Sequence, residues 1–297
     1  MNIAVASGKG GTGKTTVATN VAAVSAARGQ PTAYLDCDVE EPNGHLFLKP
    51  EIVRQEPVGL PIPVVDESRC NHCGRCGKIC QYSAIVCIGQ KVLVYPELCH
   101  ACGGCMLVCP EDAISETDRP VGTLEIGHAG AIQFVHGLMN IGEAMSPPLI
   151  RAVRSNAPDV DLVVIDAPPG TSCPVIESVR GTDFVMLVTE PTPFGLHDLK
   201  LAVEMVHALD LPFGVVINRA GLGDDSTHRF CNEKNIKILA EIPDDRELAV
   251  AYSRGEMITE ALPAYRALFE QLLASVLTEA SAAAEQRIAQ PNTISKP

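Results

Sequence analysis

One short stretch near the start limits what this chain can fold into. Residues 8–16 read GKGGTGKTT and follow directly on the apolar run Ile3-Ala4-Val5-Ala6. Gly8, Gly13, Lys14 and Thr15 fall on the spacing G-x-x-x-x-G-K-[ST] of a phosphate-binding loop. Gly10 and Gly11 add to the glycines that let backbone N–H groups turn inward around phosphate oxygens, with Thr12 and Thr16 in the same cradle. A helix that begins at the loop adds its positive dipole end. Lys14 is then placed to reach the β- and γ-phosphates, and the Thr15 hydroxyl to ligate Mg²⁺. The flanks fit, with a strand over 2–7 and a helix over 14–28. A glycine-rich turn that binds nothing is the competing reading, and this context outweighs it.

The second constraint is a cysteine repeat. Cys70, Cys73, Cys76 and Cys80 are spaced C-x₂-C-x₂-C-x₃-C, and Cys99, Cys102, Cys105 and Cys109 repeat the spacing at a constant offset of 29 residues. The flanks agree as well, Ile79-Cys80-Gln81-Tyr82-Ser83-Ala84-Ile85 against Val108-Cys109-Pro110-Glu111-Asp112-Ala113-Ile114. This resembles a bacterial-type ferredoxin holding two 4Fe-4S clusters, in which the fourth cysteine of each run serves the other cluster. The resemblance assigns Cys70, Cys73, Cys76 and Cys109 to one cluster and Cys99, Cys102, Cys105 and Cys80 to the other. Zinc ribbons use separate C-x₂-C pairs. Gln81 stands where a proline would follow the fourth cysteine. Cys87 lies in the apolar run 84–88 and reads as a buried thiol in a short strand.

Acids close two further strands. Thr32 to Leu35 runs into Asp36-Cys37-Asp38, and Asp161 to Asp166 runs into Ala167-Pro168-Pro169-Gly170-Thr171. Open α/β sheets place ligand chemistry at such carboxyl ends. Strands are expected at 122–126, 131–136, 184–189, 213–217 and 238–242, and helices at 147–155, 196–209 and from Pro263 to about 289. Residues 190–195 read as a loop.

With these residues in view, the chain resembles the MinD, ParA and nitrogenase iron protein superfamily of deviant phosphate-loop ATPases. Lys9, by itself a solvated loop lysine, is implied to be the signature lysine that crosses a dimer interface to the partner's nucleotide. Asp38 is implied to position the attacking water, Asp36 to hold the shell around Mg²⁺, and Asp166 to hold Mg²⁺ through water. The stretch after Asp166 is closest to the D-x-P-P-G-T form of Mrp-type iron–sulfur carriers, with the Gly170 N–H donating to the γ-phosphate. Asn218, at a strand end, is implied to read the adenine edge, which suits an amide that donates and accepts at once. Pro243 and Asp244 are implied to close over the base. Cys173 matches the offset of a cluster cysteine in the nitrogenase iron protein, but no second cysteine pairs with it, so a helix start near a dimer interface is the reading.

The expected fold is a doubly wound, mostly parallel α/β sheet forming a discontinuous ATPase domain over 1–61 and 120–279. A two-cluster ferredoxin domain over 62–119 interrupts it at Pro-bearing boundaries, and residues 280–297 read as a flexible tail. A net charge of −13 argues against a nucleic-acid surface. No apolar run reaches the roughly 18–20 residues that span a bilayer, and residues 1–7 are strand rather than leader. The helical part of the C-terminal segment carries few basic residues, so no membrane anchor is expected. Twelve cysteines in a chain read as cytoplasmic point to cluster ligation rather than disulfides. The function expected is an ATP-hydrolysing protein with ATP, Mg²⁺ and two 4Fe-4S clusters. It would form an ATP-dependent homodimer, or a heterodimer with a paralogue, and pass electrons to a redox partner. The alternatives are an iron–sulfur carrier and a spatial organiser with a ferredoxin docking module.

Overall fold

The computed structural model describes residues 1–289. Eleven strands and eleven α-helices alternate along them, as a chain that starts strand–loop–helix requires. The strands are β1 (Asn2–Ala6), β2 (Thr32–Asp36), β3 (Glu51–Val65), β4 (Ile85–Ile88), β5 (Lys91–Val94), β6 (Ile114–Ala129), β7 (Ile132–Met139), β8 (Leu162–Asp166), β9 (Phe184–Thr189), β10 (Phe213–Ala220) and β11 (Ile238–Pro243). The helices are α1 (Lys14–Ala27), α2 (Gly44–Leu48), α3 (Arg75–Ile79), α4 (Gly104–Leu107), α5 (Pro147–Ser155), α6 (Cys173–Val179), α7 (Pro193–Ala208), α8 (Ser226–Glu233), α9 (Arg246–Ser253), α10 (Ile258–Ala261) and α11 (Arg266–Ala289).

Nine strands form one sheet in the order β11-β10-β9-β1-β8-β2-β7-β6-β3. From β11 to β7 every pairing is parallel, while β6 runs antiparallel to both β7 and β3. Strand alternation sends Ala4, Ala6, Ala33 and Leu35 to one face, where α5, α6, α7 and α8 cover them. Ile3, Val5 and Tyr34 point to the other, under α1, α9, α10 and α11. Both faces are thus dry, which explains the near-continuous apolar runs of β1, β8 and β9. With β1 central, the carboxyl ends of β1, β2 and β8 meet in one crevice, the place where such sheets bind ligands.

Between Val58 and Val65 the chain does not form the Pro-bearing surface loop expected of an insertion boundary. It continues as strand. β3 and β6 pair from Glu51↔His128 to Val65↔Ile114, a long ribbon whose far end carries residues 66–113. Prolines are tolerated because β3 is an edge strand whose outer N–H groups have no partner to lose. The strand expected at 122–126 is the middle of β6, and the antiparallel edge is a departure from the parallel pattern. The residue set 66–113 contains two short helices, α3 and α4, and the hairpin β4–β5. Gly89, at φ +62, opens the two-residue turn of that hairpin.

Three further differences have local causes. α7 begins at Pro193, inside the expected loop, because Thr192 accepts a hydrogen bond from the Gly195 N–H and Pro suits a first helical position. Helices α8, α9 and α10 are short and were not expected. α11 runs on to Ala289, so residues 280–289 of the expected tail are helical, and the remainder of that tail lies outside the described residues. Among the described residues no helix is long and apolar enough to cross a membrane.

Candidate functional site

The loop after β1 turns through Gly11 (φ +77) and Gly13 (φ +95), both in the left-handed region, and Gly13 caps the start of α1. Gly8 is required for a different reason. A Cβ there would overlap the Asp198 carbonyl of α7. The Ser7 hydroxyl donates to the Lys9 carbonyl and braces the bend. Lys14 is buried, and so is Thr12, whose hydroxyl has no hydrogen-bond partner. Gly10 faces Pro169 of the loop after β8. Thr15 sits at the second position of α1, beside Asp166.

Asp36 and Asp166 lie opposite each other in register at the ends of β2 and β8, both fully buried. One oxygen of Asp166 accepts a hydrogen bond from the Tyr34 hydroxyl at 2.9 Å; the other has no partner. Burial raises the Asp166 pKa, while the Lys14 charge and the nearby Thr15 hydroxyl hold it down, although Thr15 does not reach good hydrogen-bond geometry. Asp36 is raised well above the carboxylate range by burial and by the charge of Asp166. Its two oxygens accept the N–H groups of Asp38 (3.1 Å) and Gly44 (2.9 Å). In this structure Asp36 therefore anchors the loop between β2 and α2. Asp38 is raised to about 6, chiefly by burial, against the pull of Lys14. Two buried acids, an unpaired carboxylate oxygen and an adjacent threonine are a donor set that fits a hydrated divalent cation.

The remaining expected residues fall around this crevice. The Gly170 N–H donates to the Ser7 carbonyl at 3.0 Å. Asn218 lines a cavity with Gly11, Gly13, Thr16, Pro243 and Asp244, whose apolar walls are Ile242, Leu248 and Tyr252. Its amide is partly committed, donating to the Thr12 carbonyl at 2.8 Å and accepting from the Arg219 N–H at 3.0 Å. Lys9 pairs with Glu190 of its own chain, and the Arg219 guanidinium approaches the other oxygen of Glu190 at 3.3 Å. Cys173 is exposed at the first turn of α6.

At the far end of the ribbon the eight repeat cysteines divide between two small cavities. Cys70, Cys73, Cys76 and Cys109 line one; Cys80, Cys99, Cys102 and Cys105 line the other. The repeat is also a repeat of backbone geometry. His72 and Ala101, Gly74 and Gly103, and Ser83 and Asp112 all take positive φ at the same 29-residue offset as the cysteines. Backbone N–H groups point at sulfur in matching places, Ala84 to Cys80 and Ala113 to Cys109, each at 3.3 Å. Burial pushes the Cys76 and Cys105 thiols up. Burial acts on Cys80 too, but the N–H groups of Tyr82, Ser83, Ala84 and Ile85 outweigh it and lower its pKa. Among the described residues no three His, Cys, Asp or Glu side chains converge as they would on one metal ion. Cys87 is half-buried in β4 rather than in a core, with its sulfur 3.6 Å from the His72 carbonyl.

Some participants were not foreseen. Tyr34 is legible only as the one aromatic in an aliphatic strand, two residues before Asp36 and so on the same face. Glu190, the partner of Lys9, carries no spacing signal. Nor do Glu125 and Gln55, which hold the buried His136 beside α2: His136 Nε2 lies 2.7 Å from Glu125, and Gln55 donates to the other Glu125 oxygen. A cleft of about 710 Å³ between Phe47, Gly130 and Met257 contains none of the expected site residues.

Comparison with known proteins follows the same lines. An uncharacterized protein of Methanocaldococcus jannaschii is 31% identical over 227 residues, covering 75% of this chain and 80% of that protein. A protein of Aquifex aeolicus named an iron-sulfur cluster carrier protein is 29% identical over 278 residues, 88% of this chain and 62% of its own length. The septum site-determining protein MinD of Pyrococcus horikoshii, solved with Mg-ADP, superposes with a TM-score of 0.58 at 19% identity, covering 95% of this chain and 98% of that one, which is a likeness of fold. The family model for the CobQ/CobB/MinD/ParA nucleotide binding domain matches residues 3–258, and the chain belongs to that family.

Proposed function

We propose that this chain binds and hydrolyses ATP with Mg²⁺ at the Gly8–Thr16 loop, holds two 4Fe-4S clusters in the thiol-lined cavities, and lets nucleotide state govern electron transfer through them. The observation that carries the reading is the division of the repeat cysteines into two closed sets of four, on the same chain as a phosphate loop with buried acids beside it. Four thiols around a cavity, with backbone N–H groups turned toward sulfur, suit a polynuclear cluster better than a single ion. When bound, such clusters supply one-electron storage at low potential.

Each residue at the nucleotide end has a task its environment fits. Lys14, buried at the base of the loop, neutralises phosphate charge. Thr15 and the unpaired oxygen of Asp166 face the same spot and would hold Mg²⁺ or its water. Asp38, with a pKa near 6, is ionised at neutral pH yet basic enough to orient and accept from an attacking water. Asn218, Pro243 and Asp244 edge the cavity where the base would sit, and Tyr252 supplies an apolar wall. Lys9 would have to leave Glu190 to serve a partner's nucleotide, which makes the dimer a nucleotide-dependent state.

A second reading, cluster cargo rather than resident redox centre, is favoured by the carrier proteins among the relatives. Ligand sets drawn from both halves of the repeat weigh against it, since both halves must open to release either cluster. The test is to titrate the anaerobic, cluster-loaded protein electrochemically with and without MgATP, and then to mix it with an apo-ferredoxin. A midpoint or oxidation rate that changes with MgATP, with iron retained, is expected. Unchanged redox behaviour together with ATP-driven loss of iron to the acceptor would overturn the electron-transfer reading in favour of the carrier.

A further inference from the structure

The outer face of α3 and α4 lies alongside the thiol cavities and away from the phosphate loop. An open concavity there is bounded by Arg75 and Lys78 on α3, and by Ile79, Leu107 and Cys109. Leu107 is 88% exposed and Ile79 45%, in a chain whose other large apolar side chains are mostly buried. Two features set this patch apart from a random exposed leucine. Its walls are shared with both thiol cavities: Cys109 also lines the cavity of Cys70, Cys73 and Cys76, and Ile79 also lines that of Cys80, Cys99, Cys102 and Cys105. Its charge also runs against the whole. The chain carries −13, yet the charged residues bordering the concavity are both cations, with no Asp or Glu among its lining residues.

We infer that the α3/α4 face is the docking surface for an acidic protein redox partner, one that presents an apolar contact ringed by carboxylates. This rests on the proposal that the cavities hold clusters. A partner seated in the concavity touches Cys109 and Ile79, one wall residue of each thiol cavity, whereas the long ribbon keeps the nucleotide crevice out of its way. Arg75 and Lys78 would steer a negatively charged partner to a concavity that is itself free of lining carboxylates. Leu107 would be the desolvated anchor at the centre of the contact. A second copy of the chain fits poorly. A two-fold contact through this face would set Arg75 and Lys78 of one copy against the same cations of the other, with no lining carboxylate to pair with them. The electron step balances simply: a reduced cluster gives up one electron and returns to its oxidised state, and the partner's flavin or cluster takes that electron up.

The experiment uses the full cluster-loaded chain, with an acidic flavodoxin as probe and basic cytochrome c as the opposite-charge control. Affinity is read by anaerobic calorimetry at two salt concentrations, and electron transfer by stopped flow. Arg75→Glu with Lys78→Glu should weaken flavodoxin binding by about tenfold or more and remove its salt dependence; Leu107→Ala should weaken it with the salt dependence retained. In both variants the low-temperature EPR signals of the clusters and the affinity for MgADP should stay as in the wild type. Unchanged flavodoxin affinity in both variants with intact EPR signals would overturn the docking surface alone. So would sedimentation showing that the wild type self-associates through this face and the variants do not. Absence of cluster signals from the wild type would overturn the cluster reading and the inference with it.

Discussion

Removing one oxygen atom from the interior should reveal whether the crevice is built for a metal. Tyr34 is fully buried, and its hydroxyl is the hydrogen-bond partner of Asp166, whose other oxygen has none. Tyr34→Phe keeps the ring, which stacks on Phe134 at 5.8 Å, and so leaves the packing nearly unchanged. The loss is the hydrogen bond. One donated to a carboxylate is worth about 1.5–3 kcal/mol, and its removal leaves a buried acid with no good partner in the chain. Asp166, already raised by burial, should hold its proton more tightly still. We expect about 2 kcal/mol of destabilisation at pH 7 in nucleotide-free protein, measured by urea unfolding under anaerobic conditions. With MgADP present the loss should shrink, because a hydrated cation beside the bare oxygens supplies the compensation that Tyr34 gave. A loss below about 0.5 kcal/mol would refute the buried hydrogen bond as an energetic feature. A full loss unaffected by MgADP would refute the placement of the cation at Asp166.

Four further perturbations probe the remaining parts. Gly8→Ala forces a methyl into the Asp198 carbonyl, so MgADP affinity, read by calorimetry, should drop by more than about tenfold while the CD spectrum is retained; wild-type affinity would show that α7 yields freely. Asp38, with a folded pKa of about 6 against 3.8 for an ordinary aspartate, binds its proton more tightly when folded. Its contribution to stability is thus present below about pH 4 and lost as pH rises to about 6, whereas hydrolysis should rise through the same window as the carboxylate forms. Asp38→Asn should flatten that part of the stability profile and abolish turnover, and a normal rate would remove Asp38 from the mechanism. Glu190→Gln releases Lys9, and ATP-dependent association in sedimentation velocity should then need up to about fivefold less nucleotide, matching a pair worth about 1 kcal/mol; no change would mean the pair does not restrain Lys9. Cys109→Ser should remove the cluster shared with Cys70 and leave the one shared with Cys99, halving the iron content; loss of iron held by Cys99, Cys102 and Cys105 would show that the cavities are not the ligand sets.

The legible parts of this chain were those where function forces residue type at short range. The phosphate loop, the strand-end acids and the duplicated cysteines are all local spacings; the structure sets the acids beside the loop and divides the cysteines between two cavities. What could not be read was settled by tertiary partners. Lys9 looks free in the sequence and is held by Glu190, a residue nearly two hundred positions away. Asn218 looks like a base reader, and in this structure it also ties the phosphate loop to β10 through the Thr12 carbonyl. The Pro-bearing stretch after residue 57 reads as a loop by composition. It is strand because an edge position makes proline harmless and because β6 supplies a continuous partner. Short helices such as α9 and α10 have too few turns for periodicity to register.

The ribbon sets how the nucleotide crevice and the thiol-lined cavities can be coupled. Only about two dozen residues separate Asp38 from position 62, where the ferredoxin domain is expected to begin, which suggests a slack tether between the two. The intervening residues are instead folded into α2 and β3. Any movement must therefore pass through packed contacts, and a continuous set exists. Asp36 holds the N–H of Gly44 at the start of α2; His45 of α2 lies against His136 of β7, ring centroids 5.7 Å apart; His136 meets Glu125 of β6; and Glu125 meets Gln55 of β3. From Gln55 the ribbon runs ten residues to Val65, about 34 Å at strand rise, so a small tilt at its root becomes a displacement of several ångströms at the thiol-lined cavities. Such a lever passes on a change only if Asp36 exchanges its backbone partners for the cation shell when nucleotide binds, since a ligand with equal affinity for both arrangements shifts neither. On that condition alone would the two roles of Asp36, loop anchor in this structure and metal-shell acid by resemblance, be the two ends of one switch.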